Sequence, residues 1–333
     1  MSRVKVIFGV ASWGSRPLET SQGYLDILKE HNVKDLDTAH IYTGSEKALG
    51  ELGAPANFVI HSKAPGFASG ALKRDSILAA AKQTFEQLAV KSILIRPLKR
   101  RWKPCKKSMR LADSNMYVNG RSAVDRSCRM SRFSTLMFFI KFGLSNFKPE
   151  DVRQIYDFAK SKGYVLPTVY QGNYNPVARH YDTILFPLLR ELNIAFYAYS
   201  PIAGGFLVKD AETLRKGGGV GRWDPNDRIG ALYHHQYNRP LLIEALSEWE
   251  SIANDAGVSK AALAYRWVTY NSTLKPEYGD GIIIGASRHE QLLETLRAIE
   301  DGPLETSIAK RIDKVWDLVK EQAPVDNYHR GNL

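Results

Sequence analysis

Cysteine is scarce, two in 333 residues. That excludes a disulfide framework and any cysteine-based metal spacing, so a reducing compartment is expected and no metal is implied. There is no run of about 18 apolar residues of the kind that spans a bilayer. There is also no charged-then-apolar leader closed by small residues. These absences make the cytoplasm the expected location and leave no membrane partner. No strand-like run is followed by a G-x-G-x-x-G turn, so a doubly wound dinucleotide fold lacks its usual support. Acidic residues are outnumbered, 35 against 46 Lys and Arg, for a net charge of +11.

An excess of that size ordinarily points to nucleic acid, but its distribution argues otherwise. Fourteen of the basic residues, and only Asp113 and Asp125 among the acids, lie between Lys91 and Lys141. The rest of the chain is close to neutral. The same segment holds both cysteines, Cys105 and Cys128, and four of the five methionines. A foreign composition in one segment accounts for the anomaly, and nucleic acid is not an expected partner.

Outside that segment, short apolar runs alternate with amphipathic patterns, which is the signature of an α/β fold on a parallel sheet. Strands are expected at 6–10, 34–37, 58–63, 92–95, 139–144, 168–171, 194–199 and 282–285. Helices are expected at 21–31, 45–52 with Ser45 as N-cap, 73–88, 149–162, 185–192, 241–256 and 290–299. With one more helix in the basic segment the count approaches eight strand–helix units, a TIM (β/α)8 barrel over residues 1–333, distorted around its fourth unit. Active sites of such barrels lie at the C-terminal ends of the strands. The glycine run Gly217–Gly221 follows a polar helical stretch, not a strand. It therefore reads as mobility within a long loop over residues 204–238, not as a phosphate cradle.

One grouping at these strand ends carries chemistry. Asp37 closes the second strand, Tyr42 follows it in Asp-Thr-Ala-His-Ile-Tyr, and Lys63 closes the third. A free tyrosine, with a pKa near ~10, gives up its proton to a carbonyl reluctantly at neutral pH. A neighbouring lysine favours the phenolate, and a buried aspartate keeps that lysine charged and aimed. Tyr42 thereby becomes a usable acid–base group.

The D-T-A-x-x-Y pattern and the strand ending in Ser62-Lys63 resemble the aldo-keto reductases. So do Ile7-Phe8-Gly9-Val10-Ala11, Gly143-Leu144-Ser145-Asn146-Phe147 and Ala198-Tyr199-Ser200-Pro201. The branch resembled is that of the aflatoxin aldehyde reductases, over residues 5–89 and 142–325. The resemblance implies NADPH-dependent reduction of a small carbonyl substrate, with Tyr42 as acid and Lys63 and Asp37 tuning it. It implies that Ser145, Asn146 and Gln171 hold the nicotinamide carboxamide and that Tyr199 stacks on the ring. Ser200, Gly204 and Leu207 would line the pyrophosphate. Gly285, Ser287, Arg288 and Gln291 would form the turn that holds the adenosine phosphate, with Ser287 and Arg288 favouring NADP over NAD. Trp13 and Trp223 would wall the substrate pocket, and a homodimer is compatible with this picture.

Between these blocks the resemblance fails. The family places a histidine at the end of its fourth strand, where it hydrogen-bonds the substrate carbonyl, and no residue here matches it. His61 reads as a core or interstrand histidine and His40 as a surface or supporting one. Read from the third base of each codon, Pro97 to Lys107 can encode the family's acidic helix, P-E-E-T-L-E-A, and Leu111 to Asn115 can encode G-R-F-K. Met116-Tyr117-Val118 can be encoded by bases containing GTATGT, an intron donor. Residues 96–140 are therefore expected to be an aberrant, poorly ordered basic segment, an out-of-frame exon to about 115 and intron read-through to about 140, with a lineage-specific basic insertion as the alternative. Two alternatives to a working reductase follow: a non-catalytic NADP(H)-binding protein, or an inactive product of faulty splicing or gene annotation.

Overall fold

The computed structural model describes residues 3–66, 73–90, 115–121, 138–216 and 223–326. The expected strand at 92–95, the glycine run Gly217–Gly221 and most of the 96–140 segment lie outside them. The chain divides into two compact units, residues 8–147 with 159–167, and residues 1–7 with 148–158 and 168–333.

The first strand of the chain is β1 (Lys5–Gly9), whose centre is buried and whose last two residues begin the first unit. Helix α1 (Leu18–Glu30) starts three residues earlier than expected, directly after Pro17. It buries Ser21, Tyr24, Leu25 and Leu28, the i, i+3, i+4, i+7 stripe of a one-faced helix. Asn32, with a left-handed φ of 55°, ends it. β2 (Asp35–Asp37) is parallel to β3 (Val59–Lys63), with Asp37 opposite His61. Between them lies α2 (Ser45–Glu51). Its N-cap is not Ser45, as expected, but Gly44, whose φ of 73° suits a residue without a Cβ. Helix α3 (Arg74–Gln87) follows β3 and buries Ala80 and Phe85.

Among the described residues the basic segment contributes one whole strand and the start of another. β4 (Asn115–Arg121) runs antiparallel to β3, Lys63 opposite Tyr117. It is also antiparallel to β5 (Phe138–Ser145), Asn115 opposite Ser145. Its register slips between Asn119 and Gly120, where glycine suits a bulge. The distortion expected around the fourth strand thus takes the form of a reversed strand.

After α4 (Pro149–Ser161), the second unit continues with β6 (Pro167–Asn173) and β7 (Ala195–Tyr199), which are parallel. The helix expected between them at 185–192 is α6 (Phe186–Glu191), and a short helix, α5 (Tyr181–Ile184), precedes it across Leu185. The expected loop over 204–238 is also corrected. It holds a 3-10 stretch at Ala203–Val208 and helices α7 (Ala211–Arg215) and α8 (Arg228–Tyr237). Asp210 and Asp227 cap the two helices by accepting backbone N–H groups. Then come α9 (Pro240–Asp255), α10 (Lys260–Arg266), β8 (Gly281–Ile284) parallel to β7, α11 (His289–Glu300) and α12 (Thr306–Val319). α12, absent from the expected elements, buries Ile308, Ile312, Val315 and Val319. Among the described residues no helix is long and apolar enough to cross a membrane.

One buried carboxylate ties this unit together before β8. Asp280 accepts two bonds from Arg190, at 3.0 and 2.7 Å, and the amides of Phe196 and Lys275, at 2.7 and 2.9 Å. Removing a partner from such a pair strands a buried charge. Asp280→Ala should therefore lower unfolding stability by about 3–5 kcal/mol, measured by urea denaturation. A loss within about 0.5 kcal/mol, the range of ordinary surface changes, would show that this hub is dispensable.

Candidate active site

The ends of β2 and β3 and the turn after β2 are laced by backbone bonds. Val10 N–H donates to Asp37 O at 2.9 Å, Thr38 to His61 at 2.7 Å and His40 to Lys63 at 3.1 Å. Ser45, released from capping, donates to Val10 O at 2.8 Å and meets Thr38 Oγ1 at 2.9 Å. The 3-10 turn at Trp13–Ser15 lies against the same loop. A Cβ on Gly14 would sit 1.8 Å from Thr43 O, so only glycine fits there. The loop carrying Tyr42 is thereby fixed on both sides.

Inside this frame the predicted grouping is assembled. Lys63 is 7 % exposed and Asp37 4 %. Lys63 Nζ donates to Asp37 Oδ1 and Oδ2 at 2.8 and 2.7 Å and to Thr38 O at 2.7 Å. The same ammonium lies 5.4 Å from the centroid of the half-buried Tyr42 ring, within cation–π range. Burial pulls the Lys63 pKa below its ordinary 10.5, while the charges of Asp37 and Glu46 push back without restoring it.

Glu46 was not singled out in the sequence. It is 1 % exposed. Ser62 Oγ donates to its Oε1 at 2.5 Å and Thr84 Oγ1 to its Oε2 at 3.1 Å. His40 Nδ1 stands 3.7 Å from Oε2. The only signal in the sequence was an acid in the first turn of a helix, which ordinarily reads as a dipole complement. His61 is an interstrand histidine, its Nε2 2.7 Å from Asp35 Oδ1.

Ser145 and Asn146 end β5 in the same unit, both buried, with Asn146 Nδ2 donating to Ser145 Oγ at 3.1 Å. Asn146 holds a left-handed φ of 62°, a conformation that costs energy and clusters at functional sites. Trp13 is 2 % exposed, its ring 6.2 Å from Phe8 and 6.1 Å from Tyr24. It stands in an aromatic cluster, not at an open surface.

The second unit holds the remaining predicted residues. Gln171 is buried on β6 and pairs in register with Tyr197, and Tyr199, half-buried, ends β7 opposite Asn173. Left-handed residues follow it at Ser200, Ala203, Gly204 and Gly205. Leu207 is buried, and Gly204 lies against the Tyr233 ring so closely that a Cβ would come within 2.0 Å of it. Trp223, 1 % exposed, donates from Nε1 to Gly204 O at 2.9 Å and packs on Phe206 and Tyr233. After β8, Gly285 faces open space, and Ser287 and Arg288 are exposed at the start of α11. Gln291 Oε1 accepts the Ser287 amide at 3.0 Å. A hydroxyl, a guanidinium and a helix N-terminus on an open turn fit a phosphate ester. Buried amide side chains such as Asn146 and Gln171 carry the donors and acceptors that a carboxamide needs.

The model of the Aldo/keto reductase family matches residues 140–317. The chain belongs to that family. It is 38% identical over 332 residues to Oxidoreductase sirO of Leptosphaeria maculans, covering 96% of this chain and 95% of that one. It is 31% identical to Aflatoxin B1 aldehyde reductase member 2 of Homo sapiens, covering 98% and 90%. Aldo-keto reductase pigE of Monascus ruber is 26% identical, covering 90% and 87%. Membership gives the chain its fold class, an α/β TIM barrel, places it in the aflatoxin-aldehyde-reductase-like branch, and makes it an oxidoreductase of carbonyl groups.

The Lys63 pKa shift carries a pH prediction. A lysine whose folded pKa lies below 10.5 binds its proton less tightly when folded. It therefore weakens the fold at neutral pH and ceases to do so as pH rises from the folded pKa to 10.5. Relative to a variant combining Asp37→Asn and Lys63→Met, the wild type should gain stability across that alkaline interval, measured by denaturant titration at stepped pH. A flat difference would mean that Lys63 keeps its ordinary affinity for the proton.

Proposed function

We propose that this chain reduces an aldehyde or ketone to an alcohol with NADPH, and that Tyr42 supplies the proton. The observation that carries this is the buried ion pair of Lys63 and Asp37 beside the Tyr42 ring. When bound, the nicotinamide supplies hydride to the carbonyl carbon. As negative charge develops on the carbonyl oxygen, Tyr42 transfers its hydroxyl proton to that oxygen, and the Lys63 ammonium stabilises the phenolate left behind. Asp37 and Thr38 O hold the ammonium in place. Ser145, Asn146 and Gln171 bind the carboxamide, Tyr199 stacks on the ring, and Ser200, Gly204 and Leu207 line the pyrophosphate. Gly285, Ser287, Arg288 and Gln291 take the adenosine phosphate. Trp13 and Trp223 shape the substrate walls from behind the residues they support. The aldehyde named in the relatives supports an aldehyde as first substrate, and the proposed setting is cytoplasmic.

A second reading has its own observation. β4, from the basic segment, pairs with β3 and β5 and brings backbone at Asn115–Tyr117 beside Lys63 and Ser145. In the family that neighbourhood belongs to the strand ending in histidine, and β4, Asn115–Arg121, carries no histidine. The chain would then bind NADP(H) without turnover.

NADPH oxidation with 4-nitrobenzaldehyde separates the two. The wild type should turn over, and Tyr42→Phe should lower kcat by about 10²–10⁴-fold with NADPH binding unchanged. Binding without oxidation in the wild type would establish the second reading. Equal rates in wild type and Tyr42→Phe would remove Tyr42 from the reaction. For the cofactor, Arg288→Ala should raise KM for NADPH roughly tenfold, the loss of one charged hydrogen bond, and leave KM for NADH unchanged. An equal change for both would place Arg288 away from the extra phosphate.

A further inference from the structure

A buried polar network in the second unit has no part in the assignments above. Asn173 closes β6, Asn175 follows it and Tyr237 ends α8, each 0 % exposed. Asn175 Nδ2 lies 3.1 Å from the carbonyl oxygen of Ser200, 3.2 Å from Tyr237 Oη and 3.5 Å from Asn173 Oδ1. Asn173 Nδ2 donates to the same tyrosine hydroxyl at 3.1 Å. At its other end Asn175 Oδ1 accepts the Val177 amide at 3.1 Å, so the side chain is pinned from both sides. Burial keeps the Tyr237 hydroxyl protonated well above its ordinary range, and it remains a neutral hydrogen-bonding group at any working pH.

What the network grips is a strained turn. Ser200 and Ala203 hold left-handed φ angles of 55° and 53°. Residues with a Cβ persist there only where their surroundings enforce it. The Ser200 carbonyl is held by the Ala203 amide at 2.8 Å and by Asn175. On the same turn, the Tyr237 ring stacks on Phe206 at 5.5 Å and lies 6.5 Å from Tyr233, the ring that covers Gly204.

We infer that Asn173, Asn175 and Tyr237 are positioning residues that hold the turn after Tyr199 in its left-handed form and so set the orientation of the nicotinamide ring. The inference rests on the proposed cofactor reading. Asn175→Asp keeps shape and the Val177 bond but turns a carboxylate toward the Ser200 carbonyl, and Tyr237→Phe removes only the shared hydroxyl. Both variants should raise the NADPH dissociation constant about tenfold, the loss of one or two buried hydrogen bonds. Both should also lower the stereochemical purity of deuteride transfer from 4-deuterated NADPH.

Leu246→Ala, in the core of α9, serves as a control that loses at least as much thermal stability while keeping wild-type affinity and purity. If either soluble variant matches wild type in both readouts, or if Leu246→Ala reproduces the losses, the network is merely structural and the inference falls. If Asn175→Asp does not fold, Tyr237→Phe alone decides the outcome. A wild type that binds no NADPH would overturn the cofactor reading, and the inference with it.

Discussion

Everything proposed for catalysis depends on one buried ammonium. Lys63 is held by both oxygens of Asp37 and by the Thr38 carbonyl, all within 2.8 Å. A charge in that position is costly, which is why burial outweighs its counter-charges in setting its pKa. The surrounding structure serves to keep the pair intact. The bonds from Val10, Thr38 and His40 lock the three strand ends in register, and the contact of Gly14 with Thr43 stops the Tyr42 loop from drifting. A site that spends stability on a buried charge needs such a frame, because a small displacement would leave Lys63 or Asp37 without its partner.

Much of this was legible in the chain itself. The ends of the second and third strands can be read from apolar runs that stop at Asp37 and Lys63, and strand polarity then brings the two together. The interleaved helices follow from their stripes, as Tyr24, Leu25 and Leu28 show for α1. Side chains whose role is set by distant partners were not legible. Ser45 looks like a helix cap, yet its hydroxyl goes to Val10, 35 residues away. Glu46 looks like a surface acid, yet Ser62 and Thr84 bury it. The stretch over 204–238 looks like a loop because it is polar and glycine-rich, but Asp210 and Asp227 supply caps that start helices within it.

The side proposed for the cofactor divides in the same way. Gly285, Ser287 and Arg288 stand out because a turn into a helix is a local pattern. Asn173, Asn175 and Tyr237 do not stand out, since the bonds that unite them span 62 and 64 residues. Short motifs announce where a ligand could sit. The contacts proposed to fix the angle at which it sits are spread along the chain, and only the folded arrangement collects them.

The reversed β4 shows how little a ladder asks of the chain that fills it. Pairing along β3 and β5 is made by backbone N–H and C=O groups, and these are the same in every residue but proline. A vacancy between two strands is therefore a template that reads geometry and ignores side chains. A segment of unrelated composition, running the other way, can occupy it. The slot beside Lys63 thus asks only for backbone that can pair, whereas any chemistry assigned to that slot would depend on the side chain that fills it. In a fold of repeated strands, architecture and activity can part company at a single position of the sheet.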